Sequence, residues 1–214
     1  SQARRDALTG LPNRFVFEER IPALVEQARR HGRPLTLAAL DLDHFKAVND
    51  AMGHFIGDRV LQQVAATLQA QIRQSDLLVR MGGDEFLLVL PDTDMPAACH
   101  LAARLCRAVA CLDINTDSGP LGVSIGLAEW EPELNIPAWL ERADDTLYQA
   151  KAGGRAQVAV NCPLPVGRTS FPRPCSPPTA GYGLRTSISS GMECSDRSCC
   201  TVRPRPQSPQ TISP

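Results

Sequence analysis

The stretch LLVRMGGDEFLLVL, Leu77 to Leu90, sets two apolar runs on either side of a glycine pair and two carboxylates. Leu77 to Val79 and Glu85 to Leu90 read as strands. Gly82 and Gly83 between them read as a hairpin turn, because glycine adopts positive φ without steric cost. Elsewhere helical and strand periods alternate. Arg14 to Arg30 carries Phe17, Ile21, Leu24, Val25 and Ala28 at helical spacing, with Asn13 as N-cap and His31-Gly32-Arg33-Pro34 as the stop. Leu35 to Leu42 is a short apolar run after that breaker, hence a buried strand. A second helix is expected from Gly57 through Ile72, an Ala/Leu-rich helix over Asp94 to Ala110, a strand over Leu121 to Ala128, a helix over Ile136 to Ala152 and a last strand over Gln157 to Val160. The order is α-β-α-β-β-α-β-α-β. A hairpin inside alternating units excludes a purely parallel wound sheet. The fold class is therefore α+β, a mixed sheet covered by helices, close to the split βαβ plan.

The chain has 214 residues, enough for one or two domains. Its net charge of -1 offers no footprint for duplex nucleic acid or an anionic membrane, so no nucleic-acid partner is expected. No apolar run approaches the roughly 18 residues of a membrane span, and no signal peptide opens the chain. A cytoplasmic location is expected, with membrane anchoring of a longer protein left open. The polar opening SQARRD reads as the inside of a longer chain.

Composition breaks near Val160, which divides the chain into an expected domain, 1–160, and a tail, 161–214. The tail holds ten of the 18 prolines and five of the eight cysteines, with six arginines, no lysine and only Glu193 and Asp196 as acids. It carries about +4 and the domain about -5. A stretch such as RTSFPRPCSPP buries too little surface to offset its ordering entropy, so the tail is expected to be disordered, even an out-of-frame read-through. CSDRSCC lacks the CxxC spacing of a zinc site. Cys99, Cys106 and Cys111, in or beside an apolar helix, read as core thiols.

Chemistry concentrates at two places. In DLDHFKAVND, Asp41 and Asp43 alternate onto one face of a strand end. Two carboxylates there are costly unless neutralised, and a divalent cation does that with one or two carboxylates plus phosphate oxygens. Taken alone, DxD is better explained by a solvated strand end with capping aspartates. In GGDEF, the glycines let phosphate approach the backbone, and Asp84 and Glu85 follow at the turn. If the hairpin neighbours the first strand, Asp84 or Glu85 meets Asp41 around one metal site, the two-metal pattern of nucleotidyl transfer. An ordinary Gly-Gly hairpin with exposed acids is the bland alternative.

Together these motifs resemble the GGDEF-domain diguanylate cyclases, which make cyclic di-GMP from two GTP. The resemblance covers about Asp6 to Val160: DALTGLPNR (Asp6 to Arg14), DLDHFKAVNDAMGHFIGDRVL (Asp41 to Leu61), RQSDLLVRMGGDEF (Arg73 to Phe86), VSIGLA (Val123 to Ala128) and ADDTLYQAKAGGR (Ala143 to Arg155). It implies a mainly antiparallel five-stranded sheet, similar to nucleotidyl cyclase catalytic domains and polymerase palms. It also implies Mg²⁺ or Mn²⁺, two ions per GTP, held by Asp41, the Leu42 carbonyl and Asp84. Asp84 and Glu85 are the implied catalytic acids, with the base not assigned between them. Asn49 and Asp58 match the pair that reads guanine, in a pocket lined by Phe45. Lys46, Lys151 and Arg155 match triphosphate contacts beside the Gly82-Gly83 tip. Arg73 and Asp76 match an inhibitory RxxD site for the product. Catalysis in such a family needs a homodimer, and an upstream sensory or dimerising domain is expected outside this chain. The family's asparagine after Gly-Arg is replaced by Ala156. The alternatives are a non-catalytic GGDEF domain that binds GTP or cyclic di-GMP as a receptor, and another palm-type nucleotidyl transferase.

Overall fold

The computed structural model describes residues 3–161. The Pro/Ser/Cys/Arg-rich tail expected to be disordered lies outside the described residues. In chain order the elements are α1 (Arg14–His31), β1 (Leu35–Asp43), α2 (Phe45–Met52), α3 (His54–Gln71), β2 (Leu77–Gly82), β3 (Glu85–Pro91), α4 (Met95–Ala110), β4 (Asn115–Thr116), β5 (Gly119–Pro120), β6 (Gly122–Glu129), α5 (Ile136–Ala152) and β7 (Val158–Asn161). The main sheet runs β2-β3-β1-β6-β7. It is antiparallel except for the β6–β7 pair. This is the α+β, mainly antiparallel five-stranded sheet expected.

Local chemistry sets the helix ends. Asn13 caps α1 by accepting from the Val16 amide at 3.3 Å, and Gly32 ends it at φ 59°. Asp94 and Asn135 cap α4 and α5 in the same way, through the amides of Ala97 and Ala138. β1 is central, and every residue from Leu35 to Leu40 is buried, as an unbroken apolar run predicts for a strand covered on both faces. Leu35, Leu37 and Ala39 pack under α1 and α5, around Phe17, Ile21 and Trp139. Ala38, Leu40 and Leu42 pack under α3 and α4, around Val64, Leu68 and Leu105. Gly126 in β6 lets α5 lie directly on the sheet, since a Cβ there would collide with the backbone of Ala143 and Leu147.

Four expectations change. DHFKAVND contains a separate helix, α2, and α3 begins at His54 rather than Gly57. Gly53, at φ 84°, is the break that separates them. β2 extends through Gly82, which pairs with Glu85, so Gly83 and Asp84 form the turn rather than Gly82 and Gly83. A small hairpin, β4–β5, precedes β6. Cys111 is an exposed C-cap rather than a core thiol, and Cys99 and Cys106 are half-buried. Among the described residues no helix is long and apolar enough to cross a membrane.

Candidate functional site

The end of β1 is where five of the expected site residues meet: Asp41, Leu42, Asp84, Glu85 and Lys151. Asp41 lies opposite Glu85 of β3 and Ser124 of β6. The Leu42 amide donates to the Asp84 carbonyl at 3.3 Å, which ties the hairpin tip to the strand end. The neighbour relation that a shared site requires is thus present. A cavity of about 440 Å³ opens here, lined by Arg14, Asp41, Glu85, Asp144, Tyr148 and Lys151 among others. Lys151 Nζ sits 2.8 Å from Asp41 Oδ1. Even so, Asp41 is pushed above the usual carboxylate range. Desolvation is the main cause, the hydrogen bond from Lys151 opposes it, and the charges of Asp84 and Glu85 add to it. Asp144 is raised too, by desolvation and then by Glu85 and Asp145.

The donor set suits a hard divalent cation. Among the described residues no group of three or more His, Cys, Asp or Glu is gathered for a metal. Asp41 and Asp84 are two carboxylates, and the Leu42 carbonyl belongs to the same strand end. A Mg²⁺-type site completed by phosphate oxygens needs no more protein ligands than that. Half-burial of Asp41 beside two further acids is the observation that a cation would relieve.

Asp43 faces the same side of β1 but has a different office. It is 3% exposed. It accepts from Ser124 Oγ at 2.9 Å and from the Ala156 amide at 2.8 Å. It therefore latches the segment after α5, which carries Arg155 at φ 63°, onto the central strand. The donor is a backbone N–H, so alanine serves at position 156 as well as asparagine would.

Arg80 organises the hairpin tip, a role that the sequence reading did not assign. Its Nε and Nη2 donate to the Gly83 carbonyl at 3.0 and 2.7 Å, and its Nη1 donates to Asp6 Oδ1 at 2.8 Å. Asp6 also accepts from the Thr9 amide at 2.8 Å and the Thr9 hydroxyl at 2.7 Å. DALTGLPNR is thus the buttress of GGDEF. Desolvation pushes Asp6 up, but the bonds from Thr9 and Arg80 outweigh it and leave the carboxyl below its usual range. The available signal was an arginine placed two residues before the glycines in an otherwise apolar strand.

α2 and α3 carry the residues expected to read guanine, Asn49 and Phe45 on α2 and Asp58 on α3. The Asn49 amide group lies against Gly57, where any Cβ would collide with its Oδ1 and come 3.5 Å from the Phe45 ring. Phe45 and Asn49 are therefore assembled on the α3 backbone, next to the exposed Asp58. Gly57, which sequence reasoning took only for a helix start, is what leaves room for the Asn49 side chain there. Lys46 is exposed in the first turn of α2. Gly82 and Gly83, at φ 146° and 52°, are exposed at the hairpin tip.

The RxxD pair stands apart from this cavity. Asp76 Oδ2 accepts from the Arg73 amide at 2.8 Å, which closes the turn after α3. Asp76 is raised by desolvation, against that bond and the Arg73 charge. A second cavity, about 350 Å³, is lined by Arg73, Asp76, His100 and Arg104 among others. Arg104, anchored to the Gln71 carbonyl at 2.6 Å, is a further cation there, and sequence reasoning missed it because α4 read only as core.

The family described as "Diguanylate cyclase, GGDEF domain" matches residues 3–157. The diguanylate cyclase DgcP of Pseudomonas aeruginosa is 42% identical over 161 residues, 74% of this chain and 24% of that protein. The probable diguanylate cyclase DgcC of Escherichia coli is 36% identical over 158 residues, 73% of this chain and 43% of that protein. The chain thus spans less than half of either relative. Among solved structures, the GGDEF domain of DgcB from Caulobacter crescentus, in complex with c-di-GMP, is similar at a TM-score of 0.70 and 32% identity, covering 75% of this chain and 96% of that one. With Asp41 and the GGDEF tip side by side at the end of β1 and the family match running through both, the chain belongs to the diguanylate cyclase GGDEF-domain family.

Proposed function

We propose that this chain carries the catalytic domain of a diguanylate cyclase, with residues 1–160 as the working unit and the tail outside it. Two copies, each holding one GTP, face each other. The 3′-oxygen of each nucleotide bonds to the α-phosphorus of the other. The α–β phosphoanhydride bond breaks and pyrophosphate leaves with its electron pair. Two such steps give cyclic di-GMP and two pyrophosphates. The observation that carries this reading is the meeting of Asp41 with Glu85 across the β1–β3 pair, with Asp84 joined to Leu42 at the tip.

The residues take the following parts. Asp41, Asp84 and the Leu42 carbonyl hold the metal. Bound Mg²⁺ or Mn²⁺, two ions per GTP, supplies acidification of the attacking hydroxyl and charge neutralisation on the phosphates. Asp84 or Glu85 takes the 3′-hydroxyl proton. Asn49 donates to guanine ring acceptors and Asp58 accepts from its N1–H and exocyclic amine, with Phe45 lining the pocket. Lys46, Lys151, Arg155 and the Gly82-Gly83 amides bind the triphosphate and neutralise the leaving pyrophosphate. Arg73, Asp76 and Arg104 bind the product at an inhibitory site. Pairing two active sites supplies proximity, which a single domain lacks. An upstream sensory or dimerising domain and a cytoplasmic location complete the reading.

The test is incubation of the purified chain with GTP and Mg²⁺, followed by quantitation of cyclic di-GMP. Product from GTP but not ATP, rising more steeply than linearly with protein concentration and lost in Asp84→Ala, is the expected result. No product at high concentration or in an enforced dimer, with cyclic di-GMP still bound, would make the domain a receptor instead.

A further inference from the structure

Lys151 is expected to meet phosphate, yet it holds something else. Its ammonium lies 2.8 Å from Asp41 Oδ1, with side-chain exposures of 35% and 14%. The asymmetry matters. Lys151, in the last turn of α5, can withdraw into water, whereas Asp41 at the sheet's inner end cannot. Asp84 and Glu85 already act on Asp41 with negative charge. An ammonium on a metal-binding carboxylate occupies the electrostatic position of the metal. Lysine suits this use because its compact charge rides on a flexible stem and moves without disturbing the helix.

We infer that Lys151 is the resident counter-ion of the nucleotide-free metal site, and that its transfer from Asp41 to phosphate couples metal binding to nucleotide binding. The inference rests on the reading of Asp41 as a metal ligand. A divalent ion arriving alone must displace a like charge and leave that charge with water only. A divalent ion arriving with a triphosphate offers Lys151 an anionic partner as it leaves. Each ligand therefore favours the other by the same factor, because coupling free energy is reciprocal. Asp41 thus keeps a counter-charge when the site is empty, and the domain accepts metal together with its nucleotide.

Mn²⁺ binding to the full chain, followed by electron paramagnetic resonance, tests this without turnover. The nucleotide probe is a GTP analogue with a methylene bridge between the α- and β-phosphorus. The wild-type chain is expected to bind Mn²⁺ weakly alone and far more tightly with the analogue. Lys151→Met should bind Mn²⁺ about tenfold more tightly without nucleotide, within the usual range of coupling. The enhancement by the analogue should shrink correspondingly. Lys151→Arg, which keeps a cation, should behave like wild type in the nucleotide-free arm. Unchanged or weaker nucleotide-free Mn²⁺ binding in Lys151→Met overturns the counter-ion role. Mn²⁺ binding that survives Asp41→Asn overturns the assignment of Asp41 itself, so the two failures are told apart.

Discussion

Two aspartates in the site carry opposite linkage. Asp41 has its folded pKa raised above 3.8, first by desolvation. A group of that kind contributes stability that is fully present below the unfolded value and lost as pH rises through the folded one. At neutral pH its ionised form is therefore a net cost. Asp41→Asn should raise the melting temperature at pH 7 by about 2 °C, with the gain vanishing toward pH 3, while cyclic di-GMP synthesis is lost. Calorimetry across pH decides it, and a lowered melting temperature at pH 7 would contradict the sign. Asp6 behaves in reverse. Its depressed carboxyl supports the fold above the ordinary range, and that support is lost as pH falls through its folded value. Its partner Arg80 is 10% exposed, and Asp6 is 23% exposed. Arg80→Ala leaves Asp6 without its cation and the Gly83 carbonyl without its donors. A loss of about 2–3 kcal/mol in urea unfolding is expected, with kcat falling more than KM rises because the tip carrying Asp84 is released.

Two glycines act at the scale of elements, with separable outcomes. Gly57→Ala meets only the movable end of the Asn49 side chain. The helix gains up to about 1 kcal/mol of propensity, yet Asn49 is pushed out of place. Stability should hold or rise while KM for GTP increases at least about tenfold, the weight of one lost hydrogen bond to a buried polar group. Gly126→Ala meets the backbone of α5, which has no free rotamer to yield. It should cost about 3 kcal/mol by overpacking, seen as a lower urea midpoint, and impair Lys151 only as a consequence. Elements with strong periods were legible from residue order alone: α1 from its apolar spacing and Asn13 cap, and β1 from its unbroken apolar run. α2 was not, because eight residues between a polar strand end and Gly53 carry too few turns to show a period. The carboxylates at Asp41, Asp84 and Glu85 could be named from spacing, but not Arg80, Gly57 or Arg104. Each of these acts by touching a segment distant in sequence or, for Gly57, by lacking a side chain, and no local pattern records that.

For the whole molecule, β1 is the organising piece. It is flanked by β3 and β6 and covered on both faces, and its last residues hold Asp41 and the Asp43 latch. The hairpin tip, by contrast, stands exposed at Gly82 and Gly83. Stability is not uniform across such a structure. Amide hydrogens of Ala38, Ala39 and Leu40 should exchange with deuterium only through global unfolding, and those of Gly83 and Asp84 orders of magnitude sooner. One carboxylate of the pair is thus fastened to the last part of the molecule to open, and the other rides on one of the first. A mild denaturant should therefore silence the domain by loosening the tip long before the sheet melts, leaving a folded but idle protein that recovers at once on dilution.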